Sequence, residues 1–193
     1  ASNSRFEFAQ EISEIGLVVH DLVDGNFDYI DEYLLIYAEL FPQYLRYMPI
    51  MRQRSEKIAD KSADEKWHQW LLVIQGKPVG IIGFLYNKKR NVGLLMDFAI
   101  LPEWRKIQYK EYQGLAHLGL FLSMEQLVKD AQAHGYSAPL CMAAEVEYES
   151  LVQKYFRYGF IEFPIYYYEP PYTLELAEAS DEKDDLDKIA FGR

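Results

Sequence analysis

The spacing of hydrophobic residues changes from helical to strand-like near residue 67. Before that point, apolar residues recur at three- and four-residue steps, which is typical of one face of a helix. This predicted face comprises Phe27, Ile30, Leu34, Tyr37 and Phe41. Asn26 precedes it as a predicted N-cap, and Pro42 ends it. A short first strand is predicted at 15–19 and a second helix at 44–58.

Strands joined by short turns are predicted from Trp67 onward. Apolar runs at 70–74, 79–86 and 92–101 are separated by turn residues, so neighbouring strands should be antiparallel. The third of these runs is apolar almost throughout and carries a single carboxylate, Asp97. Such a run is typical of a strand that is covered on both faces.

A long helix is predicted after these strands, from Gly114 to a left-handed glycine cap at Gly135. Its buried face is predicted to comprise Leu120, Met124, Leu127, Val128 and Ala131. A fifth strand follows at 138–146. Because strand, helix and strand occur in succession, the fourth and fifth strands should be parallel and joined by a right-handed crossover.

The C-terminal part is predicted to contain a short helix at 148–158 and a sixth strand at 160–168. A seventh strand at 172–177 follows two prolines. The sequence thus predicts an α/β protein of the α+β type, with a mixed, mostly antiparallel sheet of about seven strands and about four helices. We expect one domain over residues 1–177 and an acidic, mobile tail over 178–193.

Composition narrows the possible partners. A net charge of −10 argues against nucleic acid and against an anionic membrane surface, and mildly favours a cationic substrate. The 16 Tyr and 11 Phe residues are consistent with core packing or with a ring-lined site. No signal peptide and no apolar run near 20 residues is visible, so we expect a soluble, cytoplasmic protein.

Cysteine and histidine usage argues against a disulfide framework and a metal centre. Cys141 is the single cysteine, which fits a reducing cytosol, and its apolar neighbours favour a buried small side chain over a nucleophile. The four histidines lie at positions 20, 68, 117 and 134 without metal-ligand spacing, so we assign no metal.

Two local patterns and the order of the elements resemble a known family. Residues 97–105, Asp-Phe-Ala-Ile-Leu-Pro-Glu-Trp-Arg, are similar to a fourth strand that runs into a "PEYR" loop. Leu151, Tyr155, Gly159 and Phe160 are similar to an "A-x-x-x-Y-x-x-x-G-F" helix and strand entry. Over about residues 12–177 the chain resembles the GNAT superfamily of acetyl-CoA-dependent N-acetyltransferases.

The resemblance implies direct attack of a primary amine, on a small molecule or peptide, on the thioester of acetyl-CoA as co-substrate. Backbone groups of Phe98, Ala99 and Ile100 would pair with the pantetheine arm and place an amide near the thioester carbonyl. Tyr155 would protonate the leaving thiolate. Alternatively, Tyr155 packs against the sheet under the following Gly-Phe turn.

Asp97 matches a position where many family members have a carboxylate that receives the proton of the amine. It would serve as a base or as an anchor for the substrate ammonium. The alternatives are that it caps a β-bulge or pairs with Arg105, because a carboxylate in an apolar strand needs partners. Glu145, at the end of the fifth strand, is a weaker candidate.

The phosphate-binding loop departs from the family pattern. Gly114, Leu115 and Ala116 fit its last part, and amides of Leu115, Ala116 and His117 would bind the pyrophosphate at the helix terminus, with Arg105 nearby. Glu111 stands where Arg or Gln is expected.

This departure supports a competing interpretation. The chain would then be a non-catalytic GNAT-like module that binds acyl-CoA or a partner protein. Dimerisation through the sixth and seventh strands is a further hypothesis.

Overall fold

The computed structural model describes residues 15–60, 62–106, 114–146 and 148–163. The chain divides into two compact units, one up to Glu145 and the other from Val146 onward. The first unit contains the sheet and three α-helices, and the second contains one α-helix over its described residues. The predicted division into a domain at 1–177 and a tail at 178–193 stays a prediction.

The sheet has five strands among the described residues, in the order β1-β2-β3-β4-β5. They are β1 Leu17–Asp21, β2 Glu65–Ile74, β3 Lys77–Asn87, β4 Val92–Ile100 and β5 Met142–Ala144. The first four are antiparallel neighbours, and β5 lies parallel to β4, as predicted. The turn between β2 and β3 has positive φ at Gln75 and Gly76, as a two-residue hairpin requires.

Among the described residues the sheet has five strands, fewer than the predicted count of about seven. The fifth strand is three residues long, and residues 160–163, where the sixth was predicted to start, are not in a strand. The remainder of the sixth strand, the whole of the seventh and the tail lie outside the described residues. The dimerisation hypothesis therefore stays a prediction.

Four α-helices are described, as predicted. They are α1 Ile30–Leu40, α2 Met48–Glu56, α3 Leu115–Ala133 and α4 Glu149–Arg157, with 3₁₀ turns at Pro42–Tyr47 and Pro102–Trp104. The predicted N-cap was wrong, because the side chain of Asn26 donates its Nδ2 hydrogen to the carbonyl oxygen of Asp21 at 2.6 Å. Helix α1 therefore begins later, after Tyr29, and Phe27 is 52% exposed instead of buried.

Helices cover both faces of the sheet. Adjacent residues of a strand point to opposite faces, and Ile81 and Ile82 on β3 show this alternation. Ile81 packs in the cluster formed with α1 and α2, whereas Ile82 packs against α3. A Cβ on Gly119 of α3 would lie 2.8 Å from Cδ1 of Ile82, so the missing side chain lets α3 approach the sheet closely. The α1 cluster comprises Leu22, Ile30, Tyr33, Leu34, Ile36, Tyr37, Met51, Leu71, Val73 and Ile81.

The long helix α3 buries most of the face predicted for it. Leu120, Leu127 and Ala131 are buried, whereas Met124 and Val128 are half-buried. Gly135, just beyond the helix, has φ +85°, which confirms the predicted left-handed cap. None of the helices in the described ranges is both long and apolar enough to cross a membrane.

A buried polar network that the sequence analysis missed ties α3 to β1 and β2. Nδ1 of His68 lies 2.5 Å from a carboxylate oxygen of Asp21, and Nε2 lies 3.0 Å from one of Asp130. Lys66 donates to the other oxygen of Asp130 at 2.6 Å. Burial alone would lower the pKa of His68, but hydrogen bonds to the two carboxylates outweigh it and raise the pKa. The network thus favours the protonated form of His68 in the core.

Candidate functional site

A β-bulge interrupts β4 at the centre of the sheet. Gly83 of β3 pairs with Asp97, whereas its neighbour Phe84 pairs with Leu95. Met96 is therefore the extra residue of the bulge, and its side chain is 54% exposed. A bulge bends a strand and redirects the side chains that follow it. Asp97 is the first residue after this bend.

Beyond the bulge, one edge of β4 has no strand partner among the described residues. β4 pairs with β5 only from Gly93 to Leu95, opposite Met142 to Ala144. Its second half, from Asp97 to Ile100, is paired on the β3 side alone. The predicted cofactor-binding residues Phe98, Ala99 and Ile100 lie on this half. Their backbone can therefore accept an extended ligand in place of a neighbouring strand.

The Asp97 residue is half-buried in the sheet. Over the described part of the chain its carboxylate forms no hydrogen bond and no ion pair. Burial raises the pKa of Asp97 from its usual 3.8 to about 7, and the positive charge of Arg54 opposes part of this rise. An aspartate with this pKa exchanges its proton near neutrality, as a general base must.

Arg105 does not pair with Asp97, which removes one of the alternatives considered for this carboxylate. Its Nε donates instead to the carbonyl oxygen of Ile100 at 2.7 Å. That bond fixes the turn after β4, where Trp104 also donates its amide to Leu101. Arg105 thus lies just beyond the second half of β4, where one edge of the strand has no partner among the described residues.

The N-terminus of α3 lies near the same strand. Gly114 precedes the helix with φ +94°, a conformation that favours glycine, and the first turn carries no acidic residue. The amides of this turn, from Leu115 to His117, precede the first bond within the helix, from Leu118 to Gly114. The next turn contacts β4, because a Cβ on Gly119 would lie 3.5 Å from the ring of Phe98. Glu111 lies outside the described residues.

Tyr155 belongs to the second unit, where it forms part of the C-terminal cap of α4. The amide of Gly159 donates to the carbonyl of Phe156, and the amide of Phe160 donates to the carbonyl of Tyr155. With φ +91° at Gly159, this is a Schellman motif. The rings of Tyr155 and Phe160 pack with centroids 5.1 Å apart. The Tyr-x-x-x-Gly-Phe pattern thus has a local structural reason in addition to any chemical one.

The phenol of Tyr155 is held in its protonated form. Burial, reinforced by the neighbouring Tyr158, raises the pKa of Tyr155 to about 12. The hydroxyl is therefore a hydrogen-bond donor throughout the neutral range.

The first unit brings together most of the predicted site. It contains Asp97, the strand residues 98–100, Arg105 and the helix start at 114–117, whereas Tyr155 lies in the second unit. Glu145 follows β5 directly and is exposed.

The sequence analysis missed Tyr33, whose hydroxyl reaches the region of Asp97 from α1. Its helical spacing from Ile30 and Tyr37 indicated only a place on the buried face.

Comparison with known proteins identifies the fold by structural similarity but finds no related sequence. No protein-family model and no curated protein matches the sequence. An aminoglycoside acetyltransferase from an uncultured soil metagenomic sample, in complex with sisomicin, superposes with a TM-score of 0.57 at 12% identity, over 84% of this chain and 99% of that one. An aminoglycoside N-acetyltransferase in complex with CoA gives 0.52 at 14% identity, over 80% and 95%.

A third structure, another aminoglycoside acetyltransferase from soil metagenomic DNA, gives a TM-score of 0.53 at 16% identity, over 81% of this chain and 99% of that one. At these identities the likeness establishes the fold. The predicted architecture is therefore confirmed as a fold shared with these acetyltransferase structures: a mixed sheet, mostly antiparallel, with a parallel β4-α3-β5 crossover.

Proposed function

We propose that the protein is an N-acetyltransferase that moves an acetyl group from acetyl-CoA to a primary amine of a small molecule or peptide. One observation carries the proposal: directly after the bulge that precedes the half-buried Asp97, one edge of β4 has no strand partner in the described part of the chain. Support comes from the fold, which is shared with an acetyltransferase in complex with CoA and with one in complex with an aminoglycoside.

Acetyl-CoA would bind along the open edge of β4. Amide groups of its pantetheine arm would pair with backbone groups of Phe98, Ala99 and Ile100, in the manner of an added strand. Its pyrophosphate would lie at the start of α3, where the amides from Leu115 to His117 and the helix dipole favour negative charge. Because Gly114 has no side chain, it would not obstruct a phosphate that approaches these amides.

Asp97 would accept the proton that the amine loses on attack. The amine nitrogen forms a bond to the thioester carbon, the carbon–sulfur bond breaks, and the sulfur leaves as a thiolate. A carboxylate with a pKa of about 7 is matched to this task near neutral pH. A strand amide beside the thioester carbonyl would stabilise the oxyanion.

Tyr155 would donate a hydrogen bond to the departing sulfur. Its pKa of about 12 lies above that of an ordinary thiol, about 8.5, so complete proton transfer to the thiolate would be uphill. We therefore assign Tyr155 a role in stabilising the leaving group through the hydrogen bond, with the proton following from solvent.

An amine-rich, cationic acceptor suits the chain best. The net charge of −10 attracts cations, and the three enzymes described above that share the fold are aminoglycoside acetyltransferases with TM-scores of 0.57, 0.52 and 0.53. A small polyamine or an amino sugar is therefore the first acceptor class to try.

A kinetic comparison of point variants tests the proposal. Release of the CoA thiol from acetyl-CoA is followed with sisomicin and other small amines as acceptors, for the wild type, Asp97→Asn and Tyr155→Phe. We expect Asp97→Asn to lower kcat by about 100-fold, because a general base contributes on that order. Tyr155→Phe should lower kcat by about tenfold and leave CoA affinity unchanged.

Matched controls separate chemistry from folding. Asp31→Asn removes an exposed carboxylate, 77% accessible, and Tyr148→Phe removes an exposed hydroxyl next to α4. Both should retain full activity. Tight CoA binding without turnover for any acceptor would contradict the proposal and favour the non-catalytic module.

A further inference from the structure

The polar side chains of Tyr33 and Asp97 both lie beside Gly83 of β3, which has no side chain of its own. Tyr33 on α1 is fully buried, and its hydroxyl has no hydrogen-bond partner among the described residues. Gly83 on β3 pairs directly with Asp97 on β4. A Cβ on Gly83 would lie 3.2 Å from the Tyr33 hydroxyl and 3.0 Å from Oδ2 of Asp97. Both oxygens therefore border the space above this glycine.

Tyr33 lacks a hydrogen-bond acceptor and Asp97 lacks a donor among the described residues. A buried hydroxyl without a partner is rare in folded proteins, because it has lost its hydrogen bonds to water without replacement. An ionised carboxylate in the same setting needs a donor, and across the described ranges Asp97 has none. The phenol is a donor and the carboxylate an acceptor, and both oxygens lie within 3.2 Å of the same point beside Gly83.

We propose that the Tyr33 hydroxyl is the hydrogen-bond donor that holds the Asp97 carboxylate in its ionised, proton-accepting form. The assignment rests on the proposed function, in which Asp97 receives the proton of the amine. Tyr33 is a positioning residue, since it acts through Asp97. The bond strengthens as Asp97 ionises, because a charged acceptor makes a hydrogen bond shorter and stronger.

The charges around Asp97 set the direction of the expected effect. Burial dominates and raises the pKa of Asp97, while Arg54 on α2 opposes it. The two phenols that interact with Asp97 come from α1, and they are Tyr33 and Tyr37. Asp21 on β1 adds negative potential near Tyr33. A donor to the charged form lowers a carboxyl pKa, so loss of the Tyr33 hydroxyl must raise that of Asp97 further.

Because Gly83 has no side chain, it leaves space for the proposed hydrogen bond between Tyr33 and Asp97. Its backbone lies outside the left-handed region, so the chain conformation does not itself require glycine there. An alanine would place its methyl carbon 3.0 Å from Oδ2 of Asp97 and 3.2 Å from the Tyr33 hydroxyl, so each oxygen would have to move away from it by a few tenths of an ångström. Gly83→Ala therefore weakens the Tyr33–Asp97 contact without removing either polar group.

The experiment measures the pKa of Asp97 in the full chain, without cofactor, by NMR titration of ¹³C-labelled aspartate carboxyls. The Asp97 resonance is assigned by its loss in Asp97→Asn. We expect the pKa to rise by about one pH unit in Tyr33→Phe and in the same direction in Gly83→Ala. Tyr86→Phe is the matched control, because Tyr86 is equally buried but its hydroxyl already donates to Asn91 at 2.7 Å.

An unchanged or lowered pKa of Asp97 in Tyr33→Phe would overturn the proposal and leave Tyr33 as a packing residue. A rise of equal size in Tyr86→Phe would do the same, since it would reflect general loosening of the core. This titration requires no turnover, so its outcome is separate from that of the proposed function. In an active enzyme, the acid limb of the pH dependence of kcat/KM should shift upward with Tyr33→Phe by the same amount.

Discussion

Replacing Asp97 by asparagine should stabilise the folded protein at alkaline pH and leave its stability nearly unchanged at acid pH. Asparagine has nearly the same shape as a protonated aspartate but never ionises. The pKa of Asp97 is raised by burial to about 7 in the folded protein, from 3.8 when exposed. Folding therefore opposes ionisation of this side chain.

The direction of the pH dependence follows from proton linkage. Between about pH 4 and 7 the folded state holds a proton on Asp97 that the unfolded state has released, so stability falls as pH rises. Above about pH 7 the full cost is present and constant. At about 1.4 kcal/mol per pH unit the limit is about 4 kcal/mol. Because the side chain is only half-buried, we expect about 2 kcal/mol to be observed.

Urea denaturation at about pH 3 and pH 8 measures the effect, because pH 3 lies below the unfolded-state pKa. Asp97→Asn should unfold with about the same free energy as the wild type at pH 3, and with about 2 kcal/mol more at pH 8. Asp31→Asn, an exposed control that loses an ion pair to Arg52, should stay within about 0.5 kcal/mol at both values. The reasoning is refuted if Asp97→Asn destabilises the protein at pH 8, or changes it equally at both pH values.

Two further predictions concern α3. Asp130→Asn removes the charge beside the imidazolium of His68 and should cost about 3 kcal/mol at pH 6. Because the pKa of His68 is raised in the folded protein, the stabilisation from protonated His68 is present below about pH 6.5 and is lost as pH rises through the folded-state pKa. Thermal unfolding should therefore show that Asp130→Asn destabilises the protein less at pH 9 than at pH 6. An equal loss at both would contradict this. Gly119→Ala gains helix propensity but drives a methyl group into Ile82, so calorimetry should show a net loss of about 1 kcal/mol, and a gain would be the contrary result.

Local patterns predicted much of the fold. The strand at 92–101, the long helix and its cap at Gly135 were recognisable because apolar runs and turn glycines are local signals. The N-cap at Asn26 was wrong for a non-local reason, since that side chain is held by the backbone of β1. The predicted start of the sixth strand fails because the backbone after Gly159 closes the helix cap.

The candidate site was predictable only where a resemblance or a local motif marked it. Asp97 stood out as the one carboxylate in an apolar strand. Its proximity to Tyr33 and Gly83 depends on strand register and on the packing of α1, and neither could be predicted from local sequence patterns. The network of His68 with Asp21 and Asp130 was missed for the same reason, because its members are far apart in the chain.

The most direct test of the account is a calorimetric titration of the purified protein with acetyl-CoA. The open edge of β4 and the start of α3 together predict one binding site with micromolar affinity, and CoA should bind with similar strength. Absence of detectable binding up to millimolar acetyl-CoA would contradict the central claim and leave a GNAT-like fold with another role.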